Sequence, residues 1–245
     1  MREIVLDTET TGFDPENGDK IVEIGAVELF RHMASSKTYH QYINPERDMP
    51  DGAFSVHGIG PDLLTTPRAA KPGEVTLKDK PVFKKIARDF LDFIGTDSKL
   101  IIHNASFDMK FLNAELSRAG FDQISPDRAI DTLMIARRKF PGAPASLDAL
   151  CRRFSIDNSN RTLHGALLDS EILAEVYLEL IGGKQPNFNL EVTSKAVSKT
   201  TSETVWRAQP RANPLSSRLT EKEKAAHAAF VDSIGENAIW SKMKG

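Results

Sequence analysis

The chain has 245 residues, 40 % apolar and 27 % charged, the mix of a soluble globular protein long enough for one to two domains. A single cysteine, Cys151, excludes an internal disulfide framework, and no window approaches the roughly 18 apolar residues of a membrane span. The net charge of −2 is uneven: residues 184–245 carry ten Lys and Arg against six Asp and Glu, which leaves residues 1–183 at −6. Bulk basicity therefore cannot bring nucleic acid to the first part, which would need metal ions to neutralise phosphate locally. No apolar stretch of signal-peptide length follows Met1, so a reducing, cytoplasmic setting is expected.

In chain order, residues 3–9 and 21–30 are rich in Ile and Val, and the Gly, Pro, Asn and Asp cluster at 12–19 separates them. Two strands joined by a turn are expected there. Residues 38–43 suggest a third strand and 99–103 a short buried one. Helical patterning covers 83–94, 107–119, 147–154 and 166–181. Strands first, then strands alternating with helices, predict an α/β domain with a mixed central sheet flanked by helices. From 193 to 204, seven of twelve residues are Ser or Thr, the composition of a flexible linker. A short helix is then expected over 220–234, with Ala226, Phe230, Val231 and Ile234 on one stripe. The resulting division is a domain at 1–183, a linker at 184–218, and a tail at 219–245 that holds Trp240.

Three groups of acids break the apolar pattern. Asp169 shares a helical stripe with Ile172, Leu173, Val176 and Leu180, whereas Glu171 and Glu175 fall toward solvent. Two readings fit it: a buried Asp bonded to backbone, or a carboxylate paired with a cation. Asp108 shares the inward stripe of Phe111, Leu112 and Ala119, although an Asp in a first helical turn is also favoured by the helix dipole. Asp7 and Glu9, two apart at the end of a strand, point to one face, either into solvent or toward the other two acids. If all four converge, oxygen-rich ligands select hard cations such as Mg²⁺ or Mn²⁺. Two ions roughly 4 Å apart suit in-line displacement at phosphorus. His164 cannot share a helix face with Asp169 five residues on, so it is expected in the loop or cap before that helix. There it is either a structural histidine or a general base for the attacking water.

Asp7-Thr8-Glu9-Thr10-Thr11-Gly12, His103-Asn104-Ala105-Ser106-Phe107-Asp108, and His164 with Asp169 resemble the three motifs of the DEDDh 3′–5′ exonucleases, whose fold is RNase H-like. Asp131-Thr132-Leu133, Phe140-Pro141-Gly142, and the stretches 146–151 and 161–169 are similar to the proofreading branch of that family. The resemblance spans residues 2–183 apart from one stretch. It implies that Asp7, Glu9, Asp108 and Asp169 hold two divalent ions, Mg²⁺ or Mn²⁺, and that His164 deprotonates the attacking water. It also implies that Glu9, His57 and Asp169 contact substrate, His57 through the Val56-His57-Gly58-Ile59 segment, where a plain turn residue before Gly58 is the alternative. A substrate-contacting Glu expected five residues before that His is here Gly52, so that contact is not carried over. The stretch 65–80 reads as an insertion, either an exposed loop near the cleft or drift.

The tail is similar to a polymerase-binding extension of the same branch through Leu219, Glu223, Ala226, His227, Phe230, Ile239 and Trp240, with Phe230 and Trp240 as anchors. Gln185, Phe188 and Leu190 fit the pattern of sliding-clamp binding peptides. The expected partners are DNA 3′ ends, the replicative polymerase through the tail, and the sliding clamp, with no membrane. The competing functions are a free-standing exonuclease on single-stranded DNA or short RNA, and an inactive scaffold that stabilises the polymerase.

Overall fold

The computed structural model describes residues 1–159, 163–182 and 219–235. The expected linker, the clamp-binding residues Gln185, Phe188 and Leu190, and the tail anchor Trp240 lie outside the described residues. The chain divides into two compact units, Met1–Asn189 and Leu190–Gly245.

Five strands form one sheet: β1 (Arg2–Thr10), β2 (Ile21–Phe30), β3 (Met33–Tyr42), β4 (Lys99–Ile102) and β5 (Ala129–Asp131). Their order is β3-β2-β1-β4-β5. β1 pairs antiparallel with β2 and parallel with β4, and β4 pairs parallel with β5, so the sheet is mixed as expected. The helices of the first unit are α1 (Asp51–His57), α2 (Phe83–Ile94), α3 (Ala105–Ala119), α4 (Thr132–Lys139), α5 (Leu147–Phe154) and α6 (Ala166–Leu180). In the second unit α7 (Glu221–Ile234) starts with a capping box between Thr220 and Glu223 and has no buried residue.

The layers follow from the alternation of β1. Its even residues Ile4 and Leu6 pack with Phe83, Ile86, Phe90 and Ile94 of α2 and with Phe111 and Leu112 of α3. Fully burying such side chains contributes about 1.5–3 kcal/mol each. Its odd residue Val5 packs on the other face against Leu173 and Tyr177 of α6. A further layer, with Ala136 of α4 and Leu150 and Cys151 of α5, covers the outer stripe of α6 at Ile172, Val176 and Leu180.

One expected boundary is corrected and three elements are added. β3 begins at Met33 rather than at residue 38, because its early residues are largely exposed and lack an apolar alternation. α1, α4 and β5 were not anticipated. α1 has seven residues and β5 three, too short for a periodic signal, while α4 is defined by its Asp131 cap, which accepts from the Leu133 and Met134 N–H groups. Residues 65–80 are a largely exposed segment, in keeping with the exposed-loop alternative, but one tied down to the first unit. Val75 bridges to Ile59, Leu77 is fully buried, and Asp62 accepts from the N–H groups of Leu77 and Lys78. The bidentate Arg68–Glu74 pair lies beside Phe54 of α1, with the guanidinium 5.3 Å from that ring.

Candidate active site

β1 and β4 run parallel and β2 antiparallel to both, so the last residues of β1 and β4 and the first of β2 meet at one end of the sheet. α3 starts just after β4, and the first N–H of α6 is held by Glu23, near the start of β2. Two helix N-termini, each bearing an acid in its first turn, thus meet the carboxyl end of the central strand.

Asp7 and Glu9 continue the odd face of β1 that Val5 presents to α6, opposite Gly25 and Glu23 of β2. Gly25 allows α6 to come close: a Cβ there would lie 2.1 Å from the Leu167 nitrogen. Thr8, on the even face, donates from Oγ1 to Asp108 Oδ1 at 2.7 Å. Glu9, Asp108 and Asp169 are all buried and Asp7 is half-buried. Burial pushes the Asp7 carboxyl well above the usual range, and the negative charges of Asp108, Glu9, Asp169 and Glu23 add to it, in that order. Burial likewise pushes Asp108 up to about 7, against the hydrogen bonds it receives from Thr8.

His164 lies one residue before the Gly165 N-cap of α6, in the position expected from its spacing. Its N–H donates to the Val56 carbonyl at 3.2 Å, and its Nδ1 is 3.3 Å from Asp169 Oδ2. One ligand atom each from Glu9, His164 and Asp169 falls within 4.8 Å of the others. His57 ends α1 before the left-handed Gly58 and is buried, its Nδ1 accepting from the Ile59 N–H at 3.0 Å. Burial pushes the His57 ring down to about 4, so it is neutral at physiological pH; the Thr10 backbone and the Glu23 charge pull against burial, and the nearby His164 adds to it. Phe230, in the second unit, is exposed on α7.

The structure thus brings Asp7, Glu9, Asp108, His164, Asp169 and His57 to one end of the first unit. Two residues there escaped sequence reasoning. Thr8 is one. Glu23 is the other, and its signal was a lone charged residue in the run Ile21-Val22-Glu23-Ile24-Gly25-Ala26. The donor set fits divalent cations: carboxylate oxygens and one imidazole, with the largest charges acting on Asp7 all negative.

Comparison with known proteins identifies the family. Residues 4–177 match the family model described as Exonuclease (RNase_T). The DNA polymerase III subunit epsilon of Rickettsia felis is 48 % identical over 97 % of this chain and 99 % of its own length. The Escherichia coli protein of the same name is 40 % identical over 98 % of this chain and 97 % of its own length. Among solved structures, the nuclease domain of 3′hExo, a DEDDh family member bound to rAMP, shares the fold with a TM-score of 0.58 at 21 % identity, over 74 % of this chain and 91 % of that one. The chain belongs to the exonuclease family, among the DNA polymerase III epsilon subunits, and its chemistry is that of a 3′–5′ exonuclease. Divalent metal ions are the cofactors of DEDDh exonucleases, consistent with the donors assembled here. Among the described residues no helix is long and apolar enough to cross a membrane.

Proposed function

We propose that Asp7, Glu9, Asp108 and Asp169 hold two divalent ions, Mg²⁺ or Mn²⁺, and that His164 is the general base of a proofreading exonuclease acting in the cytoplasm with DNA polymerase III. The observation that carries this reading is the convergence of acids: Asp7 sits among Asp108, Glu9 and Asp169, whose charges combine with burial to raise its carboxyl. Like charges packed this closely are costly unless cations offset them. When bound, such ions polarise the scissile phosphate and stabilise the attacking and leaving oxygens of an in-line displacement. Asp169 orients the His164 ring through Nδ1, so the proton of the attacking water is taken at Nε2. Glu9, His57 and Asp169 hold the terminal nucleotide, the neutral His57 ring adding no charge to an already acidic cleft.

The products are nucleoside 5′-monophosphates released from mispaired 3′ ends. An acidic catalytic domain suits an enzyme that receives frayed DNA from a partner rather than capturing it alone. That partner is the polymerase III alpha subunit, bound through residues 219–245 with Phe230 and Trp240 as anchors, and residues 184–218 are the linker that carries them. α7, with no buried residue and an exposed Phe230, has an apolar side chain to offer a partner. Gln185, Phe188 and Leu190 dock on the beta sliding clamp.

The test is release of mononucleotides from a 3′-mismatched primer with and without added Mg²⁺ or Mn²⁺, alone and with the alpha subunit. Metal-dependent release that the alpha subunit stimulates is expected. Release that persists in excess chelator would overturn the metal assignment.

A further inference from the structure

Glu23 is only 2 % exposed and stands in an otherwise apolar stretch of β2. Its Oε2 accepts from the Ala166 N–H at 2.9 Å, and its Oε1 is 2.6 Å from His40 Nε2 on β3. Tyr42 is its register partner on β3, and the Glu23 charge adds to the burial that pushes the Tyr42 phenol up to about 12. Ala166 opens α6, and the helix's own N-cap, Gly165, has no side chain with which to cap it. Glu23 therefore supplies the cap from a neighbouring strand, placing negative charge at the positive end of the helix.

A second attachment lies two residues further along the same strand. Ser170 Oγ donates to the Gly25 carbonyl at 2.9 Å, and the α6 backbone sits where a Gly25 side chain would be. The start of α6 is thus fixed to β2 at Ala166 and Ser170. His164 lies just before the first attachment and Asp169 just before the second.

We infer that Glu23 is a positioning residue for the exonuclease reaction: through the Ala166 N–H it sets where His164 and Asp169 stand relative to Glu9, while His40 holds its carboxylate in place. This rests on the roles proposed above for His164 and Asp169. The function of Glu23 is geometric, so its hydrogen bonds matter and its charge is secondary. Glu23→Gln separates the two, because the amide oxygen can accept from Ala166 while the amide NH₂ donates to the other His40 tautomer.

The experiment compares full-length wild type, Glu23→Gln, Glu23→Ala and Asp7→Ala in single-nucleotide release from a mismatched primer, in Mn²⁺ binding by calorimetry, and in amide exchange at Ala166. Glu23→Gln is expected to keep kcat within about threefold and to keep Ala166 protected. Glu23→Ala is expected to lower kcat by about 10- to 100-fold with KM changed less than about threefold, since small misplacements of reacting groups act on the chemical step. It should also weaken Mn²⁺ binding and speed exchange at Ala166. If Glu23→Gln is as impaired as Glu23→Ala, the charge matters and positioning is overturned. Unchanged kcat in Glu23→Ala, or fast Ala166 exchange in the wild type, overturns it as well. The wild-type exchange readout stands even if the Ala variant does not fold. Full activity in Asp7→Ala would instead bring down the site assignment, so the two failures are distinguishable.

Discussion

Thr8 Oγ1 donates to Asp108 Oδ1 at 2.7 Å, joining the even face of the central strand to the first turn of α3. The bond uses one lone pair of the buried Asp108 carboxyl. Thr8→Val keeps the shape and removes the hydroxyl donor, so the buried Asp108 carboxyl loses one of its hydrogen bonds, at a cost of about 1–3 kcal/mol. The expected result is a loss of metal-dependent activity of at least tenfold with the melting temperature lowered by a few degrees, and recovery of most activity in Thr8→Ser. Equal activity in the Val and Ser variants would show that the hydroxyl does not orient Asp108.

The four acids should behave as one unit. Asp7→Ala and Asp169→Ala should each abolish nearly all hydrolysis, and the double variant should be little worse than either, because groups that act together are non-additive. His164→Ala should lower the rate by about 10²–10⁴-fold, the usual contribution of a general base, while still binding Mn²⁺ through the carboxylates. Single-turnover assays and calorimetry on the same preparations measure both. Losses that multiply in the double variant would contradict a shared site.

Stability without metal should depend on pH with a definite sign. The folded protein raises the carboxyls of Asp7 and Asp108 from an ordinary 3.8, Asp108 to about 7. A raised carboxyl stabilises the fold in its protonated form, fully below the unfolded value, and that contribution is lost as pH rises through the folded value. His57, lowered from 6.5 to about 4, acts oppositely: its contribution is present above 6.5 and is lost as pH falls through about 4. Between pH 6.5 and 8 the acids dominate, so the metal-free melting temperature should fall over that range. Saturating Mg²⁺ should flatten the slope, since cations bind the ionised carboxylates. Asp108→Asn should also reduce it. Calorimetric scans in chelator and in Mg²⁺ check both, and a metal-free melting temperature rising over that interval would contradict the assignment.

Truncation after Gly183 should leave exonuclease activity on single-stranded ends and remove co-elution with the alpha subunit. In the full chain, Phe230→Ala or Trp240→Ala should weaken that co-elution, each by about 2 kcal/mol or more if it is an interface anchor. Unimpaired co-elution of the truncated domain would move the docking surface elsewhere.

The parts of the fold written in periodic apolar runs were legible in the sequence. α2, α5 and β2 fall where residues 83–94, 147–154 and 21–30 place them. Asp108 and Asp169 could be found because a charge on an apolar helical stripe is visible from spacing alone. Elements defined by partners were not legible. α1 is short and bounded by Pro50 and Gly58, and β5 exists only through its pairing with β4. Glu23 and Thr8 escaped for a related reason, since their partners Ala166 and Asp108 lie 143 and 100 residues away and no local pattern links them.

The order of the acids along the chain bears on how the enzyme is made. β1 supplies Asp7 and Glu9 at the outset, but it can pair with β4 only after residue 99 has been made, and α6 docks on β2 later still. Ribosomes add about 5–20 residues per second, so a growing chain spends many seconds with two acids and no partners for them. On the proposed site, a chain released before α6 is made lacks Asp169 and His164. The long sequence separation between the acids thus means that this proposed cleft is complete only when nearly the whole first unit has emerged.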